Sequence, residues 1–378
     1  MRSVVVRTPA FPVRGARRAG KLRRLERQSS LSRNRYCSEP LLEALRMHPA
    51  RTAASLSSWR AAAGFCAALL ITAFICLGAA AESYPSRPIR LLIGFPPGGP
   101  ADIPGRAIAD RLSQSLGTSV VAENKPGAGG MLATQELLAQ PADGHTLLVC
   151  TYFDPVNTLL YRKVRYRVSD IAPVSLIGTY DYVLAVANSV AVDSLSQLVK
   201  ISKDAPDKFN YGHIGIGSPA NLIFKRLEKL TGINMTPVPF KGSAPAMQEL
   251  LAGRLDLYIV PPISAVEAYK AGRIKVLAVT GKTRLPVMPQ VPTLAELGVP
   301  LVAFAFVGVC AATGTPAEII HKLNGLIREA VEAPPYRQLM DTLGSVPTAS
   351  SPAELQGLMD EAVRDTAPIV DEFKLQMD

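Results

Sequence analysis

The stretch IRLLIGFPPGGPADIPGRAIADRLSQSLGTSVVA, residues 89–122, decides the fold. Its first run, IRLLIG (89–94), is apolar without alternation, as in a strand buried on both faces. A Pro/Gly loop follows; Ile108, Leu112 and Leu116 then recur at helical spacing, and SVVA (119–122) reads as the next strand. Strand, helix and strand in this order make a βαβ unit.

The same order continues downstream. ENKPGAGG (123–130) is turn-rich and leads into a helix near Leu132 to Ala139, after which Asp143-Gly144 turns into the strand TLLVC (146–150). YGHIGIGSPAN (211–221) precedes a helix to about Leu230, and FKGSAPA (240–246) precedes another to about Ala252. LDLYIV and IKVLAVT supply further strands, and AEIIHKLNGLIREAV (317–331) carries one apolar stripe after a Thr315-Pro316 start. Alternating strands and helices imply α/β architecture with parallel sheets covered on both faces.

The length of 378 residues suits about two domains, and 48% hydrophobic against 19% charged residues supplies a core. The net charge of +10 is unevenly placed: residues 1–81 hold 14 Lys+Arg and 3 Asp+Glu, whereas residues 82–378 hold 27 and 28. A near-neutral body excludes nucleic acid as a partner, since phosphate neutralisation needs basic side chains on the folded surface. The basic segment instead reads as a leader. AAAGFCAALLITAFICLG (61–78) follows Arg51 and Arg60 and precedes Ala79-Ala80-Ala81, the order of a secretory signal, so cleavage is expected after Ala81, with an uncleaved anchor as the alternative. Met47 is the expected physiological start. The only Trp, Trp59, belongs to this leader.

Cys37, Cys66 and Cys76 leave with the leader, and Cys150 and Cys310 remain in apolar strands. They are read as buried free thiols, although an oxidising compartment permits a bond between them. His145, His213 and His321 remain without metal-ligand spacing, and no nucleophile elbow occurs, so neither catalytic nor metal residues are assigned. GIGSPA (215–220) fits a dinucleotide fingerprint, but the preceding FNYGH is a poor buried strand; no cofactor is expected.

Three loops share a logic. PPGGPAD (96–102), GIGSPAN (215–221) and KGSAPA (241–246) each join a strand to a helix through Gly or Ser. Backbone N–H groups converging at helix starts hold small anions, and a carboxylate is the natural guest. Asp102 also reads as the cap of a helix started by Pro104.

These residues carry a resemblance. YPSRPIRLLIGFPPGGPAD (84–102), ENKPGAGG (123–130), DGHTLL (143–148), FKGSAPAMQELLAGRLD (240–256), GRIKVLAVT (272–280), VPTLAELG (291–298) and TGTPAEII (313–320) resemble successive blocks of the tripartite tricarboxylate transporter solute-binding family, the Bug proteins. The resemblance implies a two-domain periplasmic-binding-protein (Venus flytrap) fold, with two mostly parallel, doubly wound sheets joined by two crossover strands. Domain 1 would take 82–183 plus 305–378 and domain 2 would take 184–304, with hinges near Leu184 to Asn188 and Val302 to Phe306. It further implies a periplasmic, monomeric receptor for a small carboxylate, with the membrane subunits of a secondary transporter as partners. The expected ligand-binding set is Phe95, Pro97, Gly98, Gly99, Asp102, Tyr152, Asn157, His213, Gly217, Ser218, Ser243 and Val260.

Departures from the family pattern bear on the ligand. Pro100 has no N–H to donate, His213 stands where a hydroxyl is usual, and Ile259-Val260-Pro261-Pro262 makes one wall more apolar. An aromatic or short aliphatic carboxylate therefore fits better than an amino acid. The alternatives are a periplasmic enzyme on the same scaffold and a solute-presenting subunit of a membrane sensor.

Overall fold

The computed structural model describes residues 84–377. The leader, its cleavage site, Met47, Trp59 and the three leader cysteines lie outside the described residues. Among the described residues no helix is long and apolar enough to cross a membrane.

Two five-stranded sheets organise the chain. The first holds β1 (Ile89–Ile93), β2 (Val120–Asn124), β3 (Thr146–Thr151), β4 (Ile171–Asp181) and β10 (Phe304–Ala312), in the order β2-β1-β3-β10-β4. The second holds β5 (Val183–Ala187), β6 (Asn210–His213), β7 (Thr236–Pro239), β8 (Leu257–Val260) and β9 (Ile274–Val279), in the order β7-β6-β8-β5-β9. β1 runs parallel to β2 and β3, and β6 runs parallel to β7 and β8. One strand in each sheet is reversed: β10 is antiparallel to β3 and β4, and β5 is antiparallel to β8 and β9. Each reversed strand is the one that arrives from the other sheet, so the chain enters from the side opposite to the local βα windings.

The first sheet is covered by α1 (Asp102–Leu116), α2 (Met131–Leu138), α3 (Phe153–Leu160), α8 (Ala317–Glu332), α9 (Pro334–Thr342) and α10 (Pro352–Phe373). The second is covered by α4 (Leu195–Asp204), α5 (Pro219–Thr231), α6 (Ser243–Leu251) and α7 (Pro262–Lys270). Alternation along the strands divides the burial: Leu91, Ile93, Leu147 and Val149 join one core, while Leu92, Leu148 and Cys150 join the core on the opposite face. That double burial is why the strands read as unbroken apolar runs.

The expectation of free thiols is corrected. Cys150 on β3 and Cys310 on β10 form a disulfide, with Cα atoms 5.8 Å apart. Their burial was legible, but their adjacency depends on β10 returning beside β3, where Cys150 lies opposite Gly308.

The two crossings meet at one buried residue. Tyr182 alone separates β4 from β5, and its N–H donates to Thr280 Oγ1 (2.8 Å) while its carbonyl accepts from Thr280 N–H (2.9 Å). Thr280 makes the same pair of bonds to the returning chain: its hydroxyl donates to the Ala303 carbonyl at 2.6 Å, and its carbonyl accepts from Ala303 N–H at 2.9 Å. The first crossing thus falls at 181–183 rather than within Leu184 to Asn188, because β5 already holds Val183–Ala187 in the second sheet.

Candidate functional site

The loop after β1 is built by a side chain four residues downstream of its glycine. Asp102 is buried, and its carboxylate accepts from Gly98 N–H (2.9 Å), Arg106 Nε (2.9 Å) and Asn124 Nδ2 (2.7 Å). Asn124 Nδ2 also donates to the Phe95 carbonyl at 2.9 Å, so the end of β2 grips both ends of the loop. Two expectations change. Asp102 is not the cap of a helix begun by Pro104: α1 starts at Asp102, and its carboxylate reaches back into the loop. The Gly98 N–H is thereby engaged within the protein, whereas the N–H of Gly99 has no partner among the described residues. Pro97 is exposed beside them.

The loop after β6 repeats the device. Gly217 N–H donates to Asn221 Oδ1 at 3.3 Å, and Asn221 Nδ2 donates to Tyr211 Oη at 3.2 Å. Ser218 is the buried N-cap of α5, accepting from Asn221 N–H at 3.4 Å. The N–H of Ile216, between the two glycines, has no partner among the described residues. Gly217 has φ +74°, and a Cβ there would collide with the Leu160 side chain, so this loop lies against α3 of the first half.

His213 ends β6 and is buried, 5% exposed. Burial lowers its pKa, and Nδ1 accepts from Gly215 N–H at 3.2 Å, an arrangement that belongs to the neutral ring. A permanent imidazolium counter-charge for a carboxylate is therefore not what this position offers. In the third loop, Ser243 opens α6 and its Oγ accepts from Tyr258 Oη at 3.1 Å, while the N–H of Gly242 before it has no partner among the described residues.

Around the first loop the structure gathers several expected residues. Gly94 approaches so closely that a Cβ would lie 2.7 Å from Gly130 Cα, which brings the 127–130 turn beside Phe95. Asn157 on α3 is buried, donates to the Gly129 carbonyl at 3.0 Å and leaves its Oδ1 without a partner among the described residues. Asp154, on the same helix, accepts from Thr134 Oγ1 (2.5 Å) and Thr151 N–H (2.7 Å), and burial raises its pKa. Phe95 pairs with Phe153, ring centroids 5.3 Å apart.

Two expected residues stand elsewhere. Tyr152 turns toward the C-terminal helix, its hydroxyl 2.6 Å from Thr366 Oγ1. Val260 is fully buried in β8, paired with Val183, so it faces core rather than an open wall. Sequence reasoning missed Asn124, Arg106, Phe153 and Leu160 as residues that shape the loops. It also missed Asn221 as their organiser, although G-x-x-x-D (98–102) and G-x-x-x-N (217–221) were visible signals.

Residues 105–375 match the family model described as "Tripartite tricarboxylate transporter family receptor". Among curated proteins the chain is 34% identical over 307 residues to Protein BugT of Bordetella pertussis, covering 80% of this chain and 94% of that one. Among solved structures it is similar to Rpa4515 of R. palustris with adipate, at 32% identity and TM-score 0.72, covering 76% of this chain and 97% of that one. It is also similar to MatC (Rpa3494) from Rhodopseudomonas palustris with bound malate, at 30% identity and TM-score 0.70, covering 76% and 100%. The chain belongs to the tripartite tricarboxylate transporter receptor family, the family of the Bug-type periplasmic binding proteins.

Proposed function

We propose that this protein is a periplasmic receptor that captures a small organic carboxylate between its two halves. The observation that carries the reading is that each of the three glycine loops keeps backbone N–H groups without a partner among the described residues, those of Gly99, Ile216 and Gly242 among them. Oriented amides at helix starts stabilise a carboxylate without requiring a counter-cation, and the neutral His213 is consistent with that. The Phe95–Phe153 pair lends the first loop an apolar wall, which favours an aliphatic or aromatic body. The ligands of the relatives, adipate and malate, support the carboxylate class.

The reading includes removal of the leader after Ala81, a monomeric receptor, and domains of 82–183 plus 305–378 and of 184–304. The change of sheet at Tyr182 and at Ala303 supports that division. Transfer to membrane subunits of a secondary transporter is the matching role. Native mass spectrometry of protein purified from its own host, followed by calorimetry with the molecule released, tests the reading. A bound carboxylate recovered unchanged is the expected result; a ligand with no acidic group would overturn it.

A further inference from the structure

Away from the loops, the two halves face each other along a pair of helices. α5 packs on β6 and β8 of the second sheet, and α10 packs on β4 and α3 of the first half. Leu222, Ile223 and Arg226 share one face of α5 and line a cavity whose far wall is α10, through Glu361, Asp365 and Ile369. Toward the C-terminal end of both helices the gap is closed. Lys229 Nζ donates to both carboxylate oxygens of Glu372, at 2.9 and 2.8 Å, and Lys225 Nζ lies 5.8 Å from the ring centroid of Phe373.

The facing surfaces are opposite in charge: Lys225, Arg226 and Lys229 on α5 against Glu361, Asp365 and Glu372 on α10. Local partners account for part of this set, since Lys225 pairs with Glu228 at 2.7 Å and Asp365 lies 3.7 Å from Arg364. Arg226 has neither a hydrogen bond nor an ion pair among the described residues, and it lines the same cavity as Tyr152, Glu361 and Asp365.

We propose that α5 and α10 form an electrostatic clasp between the halves, with Lys229–Glu372 already made and Arg226 poised to meet Asp365 or Glu361 as the cavity narrows. The inference rests on the reading that the halves close around a solute. α5 is capped by Ser218, directly after the loop that presents Ile216, so narrowing this gap carries that loop with it. The Lys229 and Glu372 side chains are 61% and 47% exposed, so the pair adds little against global unfolding. An equilibrium between two arrangements of the same folded halves responds to much smaller differences, and replacing attraction with repulsion should shift it about fivefold.

The test needs no ligand, so its failure is distinct from failure of the carboxylate reading, which the released molecule decides. Small-angle scattering of ligand-free protein at low salt compares the wild type with Lys229→Glu, with the swap Lys229→Glu/Glu372→Lys, and with Arg226→Glu/Lys229→Glu, each confirmed folded by circular dichroism. The expected result is a larger radius of gyration for Lys229→Glu, a still larger one for the Arg226→Glu double variant, recovery in the swap, and convergence of all four at about 0.5 M salt, where the screening length is only a few ångströms. Equal radii at low salt, or a swap that fails to recover, would overturn the clasp.

Discussion

Gly98 and Gly99 look interchangeable in sequence, and the structure separates them. Gly98 has φ +82° and donates its N–H to Asp102, so it serves the loop, while Gly99 keeps its N–H available. A Cβ at Gly99 would meet nothing nearer than the Pro96 carbonyl at 3.7 Å, which is ordinary contact. Gly99→Val should therefore fold normally and bind the receptor's carboxylate at least about tenfold more weakly, because valine keeps the N–H but its branched side chain crowds the carboxylate out of a charge-assisted bond worth roughly 1.5–3 kcal/mol; calorimetry checks this, and unchanged affinity removes the loop from the site. The pinning of Gly98 was not legible, because it depends on α1 starting at Asp102, and helix starts are the least determined feature of a sequence. Asp181 carries a second residue-scale prediction. It ends β4 at the crossing, its carboxylate lies where a Cβ on Gly281 would be, and burial pushes its pKa up to about 6. A carboxyl raised in the folded state binds its proton there after the unfolded chain has lost it, so its contribution falls as pH rises from about 4 to about 6. Asp181→Asn should raise the melting temperature at pH 7.5 and leave it nearly unchanged at pH 4.

At the scale of elements, local pattern carried as far as local forces do. The strand from residue 89, the helix of 317–332 and the helices after each glycine loop were readable because periodicity and turn residues agree there. α10 was not, and of β10 the apolar strand around Cys310 was readable but its place in the sheet was not. β10 takes its place from the return crossing, a long-range event, and α10 contains Pro368, which reads locally as a break although tertiary packing carries the helix through it to Phe373. The disulfide belongs to the same hidden layer, since it joins strands 160 positions apart and so encloses the whole second sheet in one covalent loop. A cross-link of that span restricts the unfolded chain strongly, and removing such a bond costs about 2–5 kcal/mol. Cys150→Ala/Cys310→Ala should lower the urea midpoint accordingly and keep the ligand affinity, because Cys150 and Cys310 are fully buried within the core of the first half. Equal midpoints for the variant and the wild type would show that the bond does not form in solution.

For the whole molecule, the two glycine-loop sets stand on different sheets, and the chain passes between those sheets only at Tyr182 and in the segment between β9 and β10 that contains Thr280 and Ala303. Thr280 holds both passages through four hydrogen bonds, so motion between the halves has a small pivot about which the loops can separate. A carboxylate held from both sides favours the closed arrangement, and it shifts the equilibrium only by its difference in affinity for the two forms. The only Trp of the chain, Trp59, lies outside the described residues, so scattering and thermal denaturation are better reporters of closure than Trp fluorescence. With the carboxylate at about 100 times its dissociation constant, linkage adds about 2.7 kcal/mol to stability if the unfolded chain does not bind it. The radius of gyration should fall in the same titration and with the same midpoint, because one event causes both changes. Stabilisation without compaction would place the ligand on one sheet's loops alone, and the capture between halves proposed for this receptor would then be wrong.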